Sequence, residues 1–184
     1  MHEFTIHTAA SAPPGSKEPL ASLEQRIGFI PNLAGTMAAS PALIGGFVRL
    51  QQSLQATTLI GLEREVVGLT VSYENACTWS MAAHSTFAKG QGASDEVLAA
   101  LRSGQELPDA RLQALHAFTR RLLRTRGHLD AGDAEALLEA GYTTEQLFEV
   151  IAQAAYTSMA NWAANVTDPP VDEAFEPQLW AAVA

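Results

Sequence analysis

The sequence has a single cysteine, Cys77, among its 184 residues, so no disulfide can form within the chain. This usage is typical of a reducing compartment, and we expect a cytoplasmic protein. Basic residues are also scarce, because 11 Lys and Arg stand against 20 Asp and Glu, for a formal charge of −9. Phosphate backbones and anionic lipid headgroups repel such a surface, so neither nucleic acid nor a membrane is an expected partner.

Long apolar runs are missing as well. No stretch approaches the roughly 20 consecutive apolar residues of a membrane span, and residues 1–14 lack the basic start and apolar run of a signal peptide. We also find no metal-ligand spacing and no phosphate loop in a strand-to-helix context, so the sequence predicts no metal and no cofactor. Hydrophobic residues still make up 47% of the chain, which is enough for one packed domain.

The apolar residues are spaced by three and four, which predicts an all-α, single-domain bundle. The segment after Ser40-Pro41 shows the pattern, with Leu43, Phe47 and Leu50 on one side. We predict an extended arm over residues 1–15, with a short edge strand over 5–8, and a C-terminal tail over 168–184. Further helices are predicted to start at Pro108 and, capped by Asn75, near Cys77. Ser94 and Asp130 are predicted to cap two more helices, and Thr143 with Gln146 to form the capping box of the last long helix.

Residues suited to chemistry concentrate between positions 65 and 84. At about 100° per residue, a helix that starts at Cys77 carries Cys77, Ser80 and His84 on one face. The N-terminus of such a helix favours a thiolate, so we expect a pKa of Cys77 below its usual value of about 8.5. Glu65 lies on the preceding helix and can orient or deprotonate His84 if the two helices form a hairpin.

Structural interpretations of the same residues stay open at this point. A lone cysteine is commonly an inert core residue, a lone helical histidine is commonly solvated or satisfied, and Glu65 can be a surface charge. His116 and His128 are interpreted as surface or structural residues, and Trp79 and Trp162 as pocket or core residues. His2 and His7 lie in the arm and would bind a metal only adventitiously. Asn161 and Asn165 are expected to point into the site from the last helix.

The stretch from Glu65 to His84 resembles the AhpD-like, or carboxymuconolactone decarboxylase, superfamily, in its alkylhydroperoxidase and peroxidase-related branch. In that branch a glutamate stands twelve residues before a Cys-x-x-Cys, and a histidine stands four residues after the second cysteine. Glu65, Cys77 and His84 match these positions, whereas Ser80 replaces the second cysteine. The likeness covers roughly residues 25–165 and includes Ile30-Pro31-Asn32 upstream.

The resemblance implies an AhpD-like helical bundle that assembles as a homo-oligomer: a trimer, a dimer of trimers or a dimer. It further implies a thiol-dependent, peroxidase-like antioxidant oxidoreductase that takes a small hydroperoxide or another small substrate. In such an enzyme Cys77 attacks the hydroperoxide, His84 and Glu65 transfer protons, Ser80 donates a hydrogen bond, and an external thiol reductant restores the cysteine.

Two alternatives stay open, because a Cys-x-x-Ser cannot close an internal disulfide. The first is an acid–base, decarboxylase-like enzyme that acts on a small carboxylated lactone through Glu65 and His84. The second is a non-catalytic helical oligomer with a vestigial site.

Overall fold

The computed structural model describes residues 3–181 as a helical bundle, and this part of the chain contains no β-strand. Nine α-helices are followed by one 3-10 helix over Glu173–Gln178. The α-helices are α1 (Pro14–Ile27), α2 (Asn32–Met37), α3 (Pro41–Leu54), α4 (Gly61–Glu74), α5 (Thr78–Gly90), α6 (Asp95–Ser103), α7 (Ala110–Arg124), α8 (Ala131–Glu139) and α9 (Thr144–Thr167). The predicted all-α class is confirmed.

Capping residues fix several helix starts where the sequence predicts them. The side chains of Ser40, Ser94 and Asp130 accept a hydrogen bond from the third residue of the helix that follows. Thr143 and Gln146 form the expected capping box of α9. Most helix boundaries therefore follow from local side-chain chemistry.

Four local predictions are wrong. The arm forms no strand, because His7 N donates to Gly35 O of α2 instead of pairing with another extended segment. Helix α1 already begins at Pro14, since proline suits a first helical position. Helix α7 begins after Pro108, with Asp109 as its cap. The cap of α5 is Cys77 rather than Asn75, because the turn after α4 continues through Ala76.

Helix α4 lies at the centre of the bundle and packs against α5, α7 and α9. Its middle turns carry Val66, Val67, Leu69 and Val71, all of which are fully buried. A helix that is apolar on several faces is stable only when other helices surround it. Glu65 is a residue of α4, and the packing of α4 against α5 places it within the α4–α5 hairpin.

Helix α9 joins the two main apolar clusters. Val150 and Ala154 pack in the cluster around α4, α6 and α7, whereas Tyr156 and Ala160 pack in the cluster around α1, α2 and α3. Helix α9 therefore packs in both clusters. No helix within residues 3–181 is long and apolar enough to cross a membrane.

Candidate active site

Glu65 and His84 form a hydrogen-bonded pair across the α4–α5 hairpin. His84 Nδ1 lies 2.7 Å from Glu65 Oε2. Because a carboxylate only accepts hydrogen bonds, Nδ1 carries a proton in this contact, and Nε2 has the free lone pair in the neutral form of the ring. The two side chains are 12% and 18% exposed, so water screens their interaction weakly. The pair is a histidine held in one tautomer by a carboxylate, an arrangement suited to general acid–base chemistry.

Gly68 allows the His84 ring to reach Glu65. A Cβ atom at position 68 would lie 2.6 Å from His84 Nδ1 and 2.7 Å from Cε1, well inside van der Waals contact. Glu65 and Gly68 are three residues apart and therefore share one face of α4. The glycine leaves room on that face for the imidazole.

Gly68→Ala is expected to disrupt this pair. The ring must move away from the added methyl group, so the variant loses the hydrogen bond to Glu65 and about 1–3 kcal/mol of unfolding free energy. The shift of the His84 ring signals in NMR and urea unfolding measure the two effects. Gly46→Ala is the matched control, because a Cβ there meets no atom within 4 Å and should leave His84 unchanged. An unchanged His84 signal in Gly68→Ala would contradict the packing described here.

An apolar cavity of about 60 Å³, the inner cavity, lies beside Ser80 and His84. These two residues are one helical turn apart on α5 and contribute to the same wall. Trp79 and Phe87 each meet Phe175 edge to face, with ring centroids 5.6 and 5.4 Å apart. No Asp, Glu, Lys or Arg within the described chain lines the cavity. It suits a small uncharged molecule.

A second space of about 70 Å³, the outer cavity, also borders His84. The inner and outer cavities share Gln51, His84, Phe87 and Tyr156. The remaining wall of the outer cavity is largely polar and includes Glu65, Arg64, Gln55 and Gln153. His84 therefore lines both an apolar space and a more polar one.

Cys77 is fully buried and does not line the inner cavity in the described structure. As the cap of α5 it has extended backbone angles, and its carbonyl accepts the first hydrogen bond of the helix, from Met81 N. Its side chain packs in the cluster formed by α1, α2, α3 and α9. Of the three residues expected on one face, Ser80 and His84 share the wall of the inner cavity, whereas Cys77 lies near Ser80 but outside that wall.

The pKa of Cys77 shifts opposite to the expected direction. Burial raises the pKa of the thiol, and this effect exceeds the lowering by the Ser80 hydroxyl and by the backbone N–H groups of Ser80 and Trp79. The helix N-terminus does favour the thiolate, but removing the sulfur from water costs more. The Ser80 hydroxyl, although near the thiol, forms no hydrogen bond of good geometry within residues 3–181.

Cys77 is expected to react slowly with iodoacetamide in the folded protein. Because its pKa is raised, the thiol stays protonated at neutral pH, and the rate should rise only above the usual thiol range. The alkylation rate between pH 6 and 10, followed by mass spectrometry, measures this. The urea-unfolded chain serves as the control and should react with an ordinary thiol profile. A fast folded-state reaction at pH 7 would contradict the burial argument.

Comparison with known proteins identifies the fold. No family model matches the chain, and no curated protein matches its sequence. Among solved structures, a peroxidase-related protein with an alkylhydroperoxidase AhpD core from Ralstonia eutropha JMP134 superposes with a TM-score of 0.81 and 22% identity, over 95% of this chain and 96% of that one. The chain has the AhpD-like fold.

Two further solved structures agree with this fold. An uncharacterized peroxidase-related protein from Silicibacter sp. TM1040 superposes with a TM-score of 0.78 and 20% identity, over 96% of both chains. A cysteine-to-alanine variant of the debrominase Bmp8, in complex with 2,3,4-tribromopyrrole, superposes with a TM-score of 0.79 and 19% identity, over 97% of this chain and 96% of that one. The AhpD-like fold is thus found both in uncharacterized peroxidase-related proteins and in a debrominase.

Several other sequence candidates have structural positions in this AhpD-like bundle. Asn161 is buried and hydrogen-bonds Asn75 and Ser72, while Asn165 donates to the Asn75 carbonyl. These contacts hold the α4–α5 turn against α9. His116 is buried against Thr70, as expected of a structural histidine.

The two candidate tryptophans differ in their environments. Trp79 lines the inner cavity, as its interpretation as a pocket residue predicts. Trp162 is 64% exposed on α9 and lines an apolar surface groove, so it is not a core residue. His2 lies outside the described residues, and His7 hydrogen-bonds Ser11 in the arm. No cluster of three His, Cys, Asp or Glu side chains that could hold a metal occurs within residues 3–181.

The sequence interpretation missed three residues that shape the cavities. Gln51 on α3 and Tyr156 on α9 line both cavities, and Tyr156 stacks on Phe47 with centroids 4.5 Å apart. Asp172 in the tail accepts hydrogen bonds from Trp79 Nε1 and Asn32 N, which holds the cavity wall together. These residues are far from the motif in sequence, and nothing in their local spacing points to a site.

Proposed function

We propose that this protein is an enzyme that transfers protons on a small, uncharged carbon acid held in the inner cavity. The single observation that carries the proposal is the Glu65–His84 pair at a cavity wall that also contains Ser80. A histidine in hydrogen-bond reach of a substrate C–H, and oriented by a carboxylate, is a typical general base.

The chemistry is a reversible proton transfer next to a carbonyl group. His84 Nε2 takes the proton from carbon, and the electron pair of the broken C–H bond moves to the carbonyl oxygen to form an enolate. Glu65 stabilises the imidazolium that results, and the Ser80 hydroxyl can donate to the enolate oxygen. Return of the proton to carbon or oxygen completes an exchange or an isomerisation.

The inner cavity favours an uncharged substrate over a carboxylated lactone. A substrate carboxylate would need a cation, and the described wall has none. Arg64 reaches only the outer cavity, where its guanidinium donates to the Leu59 carbonyl. The complex of the structural neighbour Bmp8 with 2,3,4-tribromopyrrole supports the idea that this fold can hold a small uncharged ring.

Cysteine-dependent peroxide reduction is the second candidate. The observation in its favour is the place of Cys77 at the start of α5, where Ser80 and two backbone N–H groups favour the thiolate. It ranks second because burial outweighs these contacts and because the thiol is absent from the wall of the inner cavity in the described structure. The peroxidase-related names of two structural neighbours also support it.

The two candidates differ in their dependence on Cys77. For the first, NMR in D2O follows the exchange of α-protons in a panel of small cyclic ketones and lactones. For the second, cumene hydroperoxide consumption is measured with dithiothreitol as the reductant. We expect exchange that Cys77→Ala retains. Peroxide turnover that Cys77→Ala abolishes, without any exchange, would reverse the ranking.

A further inference from the structure

A segment of the C-terminal tail closes one side of the inner cavity. This segment, residues 171–177, is called the tail flap, and its 3-10 helix packs against α5. Phe175 of the tail flap is 2% exposed and lines the inner cavity directly. The tail thus supplies one apolar side chain to a wall that the α-helices mostly provide.

The Phe175 ring lies among three other aromatic rings, which form the aromatic cage. Its centroid is 5.8 Å from that of Phe29, 5.6 Å from that of Trp79 and 5.4 Å from that of Phe87. The Trp79 and Phe87 rings stand nearly perpendicular to it, at 89° and 80°. Edge-to-face contacts of this kind stabilise a flat ring whether it belongs to the protein or to a ligand.

The tail flap is held chiefly by Phe175 and Asp172. Phe175 belongs to a small apolar cluster that is separate from the two main ones, so its departure opens neither. Asp172 accepts hydrogen bonds from Asn32 N at 2.9 Å and from Trp79 Nε1 at 3.1 Å. The other residues of its 3-10 helix up to position 177 are exposed: Glu173, Ala174, Glu176 and Pro177.

Both ends of the tail flap are suited to movement of the part between them. On one side Asp168 has a left-handed conformation, with φ of 43°, and Pro169-Pro170 follows without a backbone N–H that could pair with the bundle. On the other side the Arg102 guanidinium donates to the carbonyls of Gln178 and Leu179. The tail flap can therefore lift as a loop while its ends stay attached.

The closed inner cavity is too small for the ring that the aromatic cage suits. It measures about 60 Å³, whereas an apolar protein cavity of about 150 Å³ takes benzene. Withdrawal of Phe175 adds the volume of one phenyl ring, in a place whose walls already fit such a ring. A six-membered ring can therefore enter in exchange for the Phe175 side chain.

We propose that Phe175 occupies the ring site of the substrate, and that a small, uncharged ring binds there when the tail flap lifts. This rests on the proposed function, because the ring is the carbon skeleton whose C–H bond His84 attacks. The His84 ring meets Phe87 edge to face with centroids 6.3 Å apart, so a ring in the aromatic cage lies near the imidazole. Phe175 then competes with the substrate and limits its size.

Titration with fluorobenzene, followed by 19F NMR, tests the ring site without any turnover. Phe175→Ala should bind about tenfold or more tightly than the wild type, because no buried phenyl ring has to be exposed first. Asp172→Ala should bind about three- to tenfold more tightly, because a flap without its hydrogen bonds lifts more often. Glu173→Ala is the matched control, since Glu173 is an exposed acidic neighbour of Asp172.

Solvent exchange of two N–H groups distinguishes displacement of Phe175 from simple filling of a cavity. Asn32 N–H and Trp79 Nε1–H donate to Asp172 and lose this partner when the tail flap lifts. Saturating fluorobenzene should therefore speed their exchange in the wild type by about threefold or more, although a bound ligand ordinarily slows exchange. Trp180 Nε1–H, which donates to the Arg102 carbonyl beyond the tail flap, is the internal control and should not change.

Three results would overturn the proposal: no binding of fluorobenzene by the wild type, equal affinities in the wild type and both tail-flap variants, or unchanged or slower exchange at Asn32 and Trp79 in the complex. The proposed function fails separately. Displacement of the tail flap by fluorobenzene without α-proton exchange in any ketone or lactone leaves the ring site standing and removes the reaction. Exchange of α-protons with a tail flap that stays closed does the reverse.

Discussion

His84→Ala should lower the rate of α-proton exchange by about 10²–10⁴-fold, the usual contribution of a general base. The reason is that His84 is the basic side chain at the cavity wall, and the alanine leaves no base in its place. The measurement is the initial exchange rate by NMR in D2O, with the cyclic ketone or lactone that the wild-type protein exchanges fastest. Binding of the same compound should persist, because most of the inner cavity is apolar.

Glu65→Gln separates orientation from basicity. The amide can still accept from Nδ1, so the ring keeps its place, but it lacks the negative charge that stabilises the imidazolium. We expect a loss of about tenfold, smaller than that of His84→Ala. His128→Ala is the control, because His128 is exposed and remote from both cavities. If His84→Ala exchanges as fast as the wild type, His84 is not the base.

The helical architecture follows closely from local sequence. Ser40, Ser94, Asp130 and Thr143 were predictable as caps because each side chain bonds a backbone N–H only three residues ahead. The α4–α5 hairpin was predictable for a related reason, since two amphipathic segments joined by a short turn bury their apolar sides together. The contact of Glu65 with His84 follows from this hairpin, so it could be predicted from the sequence.

Cys77 shows where local reasoning fails. The sequence indicates correctly that this cysteine stands at a helix N-terminus, but it does not show that α1–α3 and α9 cover the thiol. Desolvation then decides the direction of the pKa shift. Gln51 and Tyr156 were missed for a related reason. They reach the cavities from α3 and α9, and only the tertiary packing brings them to His84.

Ser80→Cys should give the protein an internal disulfide and a peroxidase activity higher than that of the wild type. Position 80 lines the inner cavity beside His84, and the Ser80 hydroxyl already lies close enough to Cys77 to affect its pKa. A thiol at position 80 therefore meets both a base and a partner sulfur. A hydroperoxide oxidises one thiol to a sulfenic acid and releases an alcohol, and the second thiol displaces water from the sulfenic acid to form the disulfide.

The measurements are peptide mapping of the disulfide and cumene hydroperoxide consumption with dithiothreitol as the reductant. Cys77→Ala in the Ser80→Cys background should abolish the disulfide, and His84→Ala should remove most of the turnover because no base remains at the cavity wall. Ser85→Cys is the matched control, since Ser85 is buried on the same helix but lies outside the inner cavity. A disulfide without turnover would show that the cavity does not support peroxide chemistry even with two thiols. The proton-transfer reaction at Glu65 and His84 would then stand as the better description of the site.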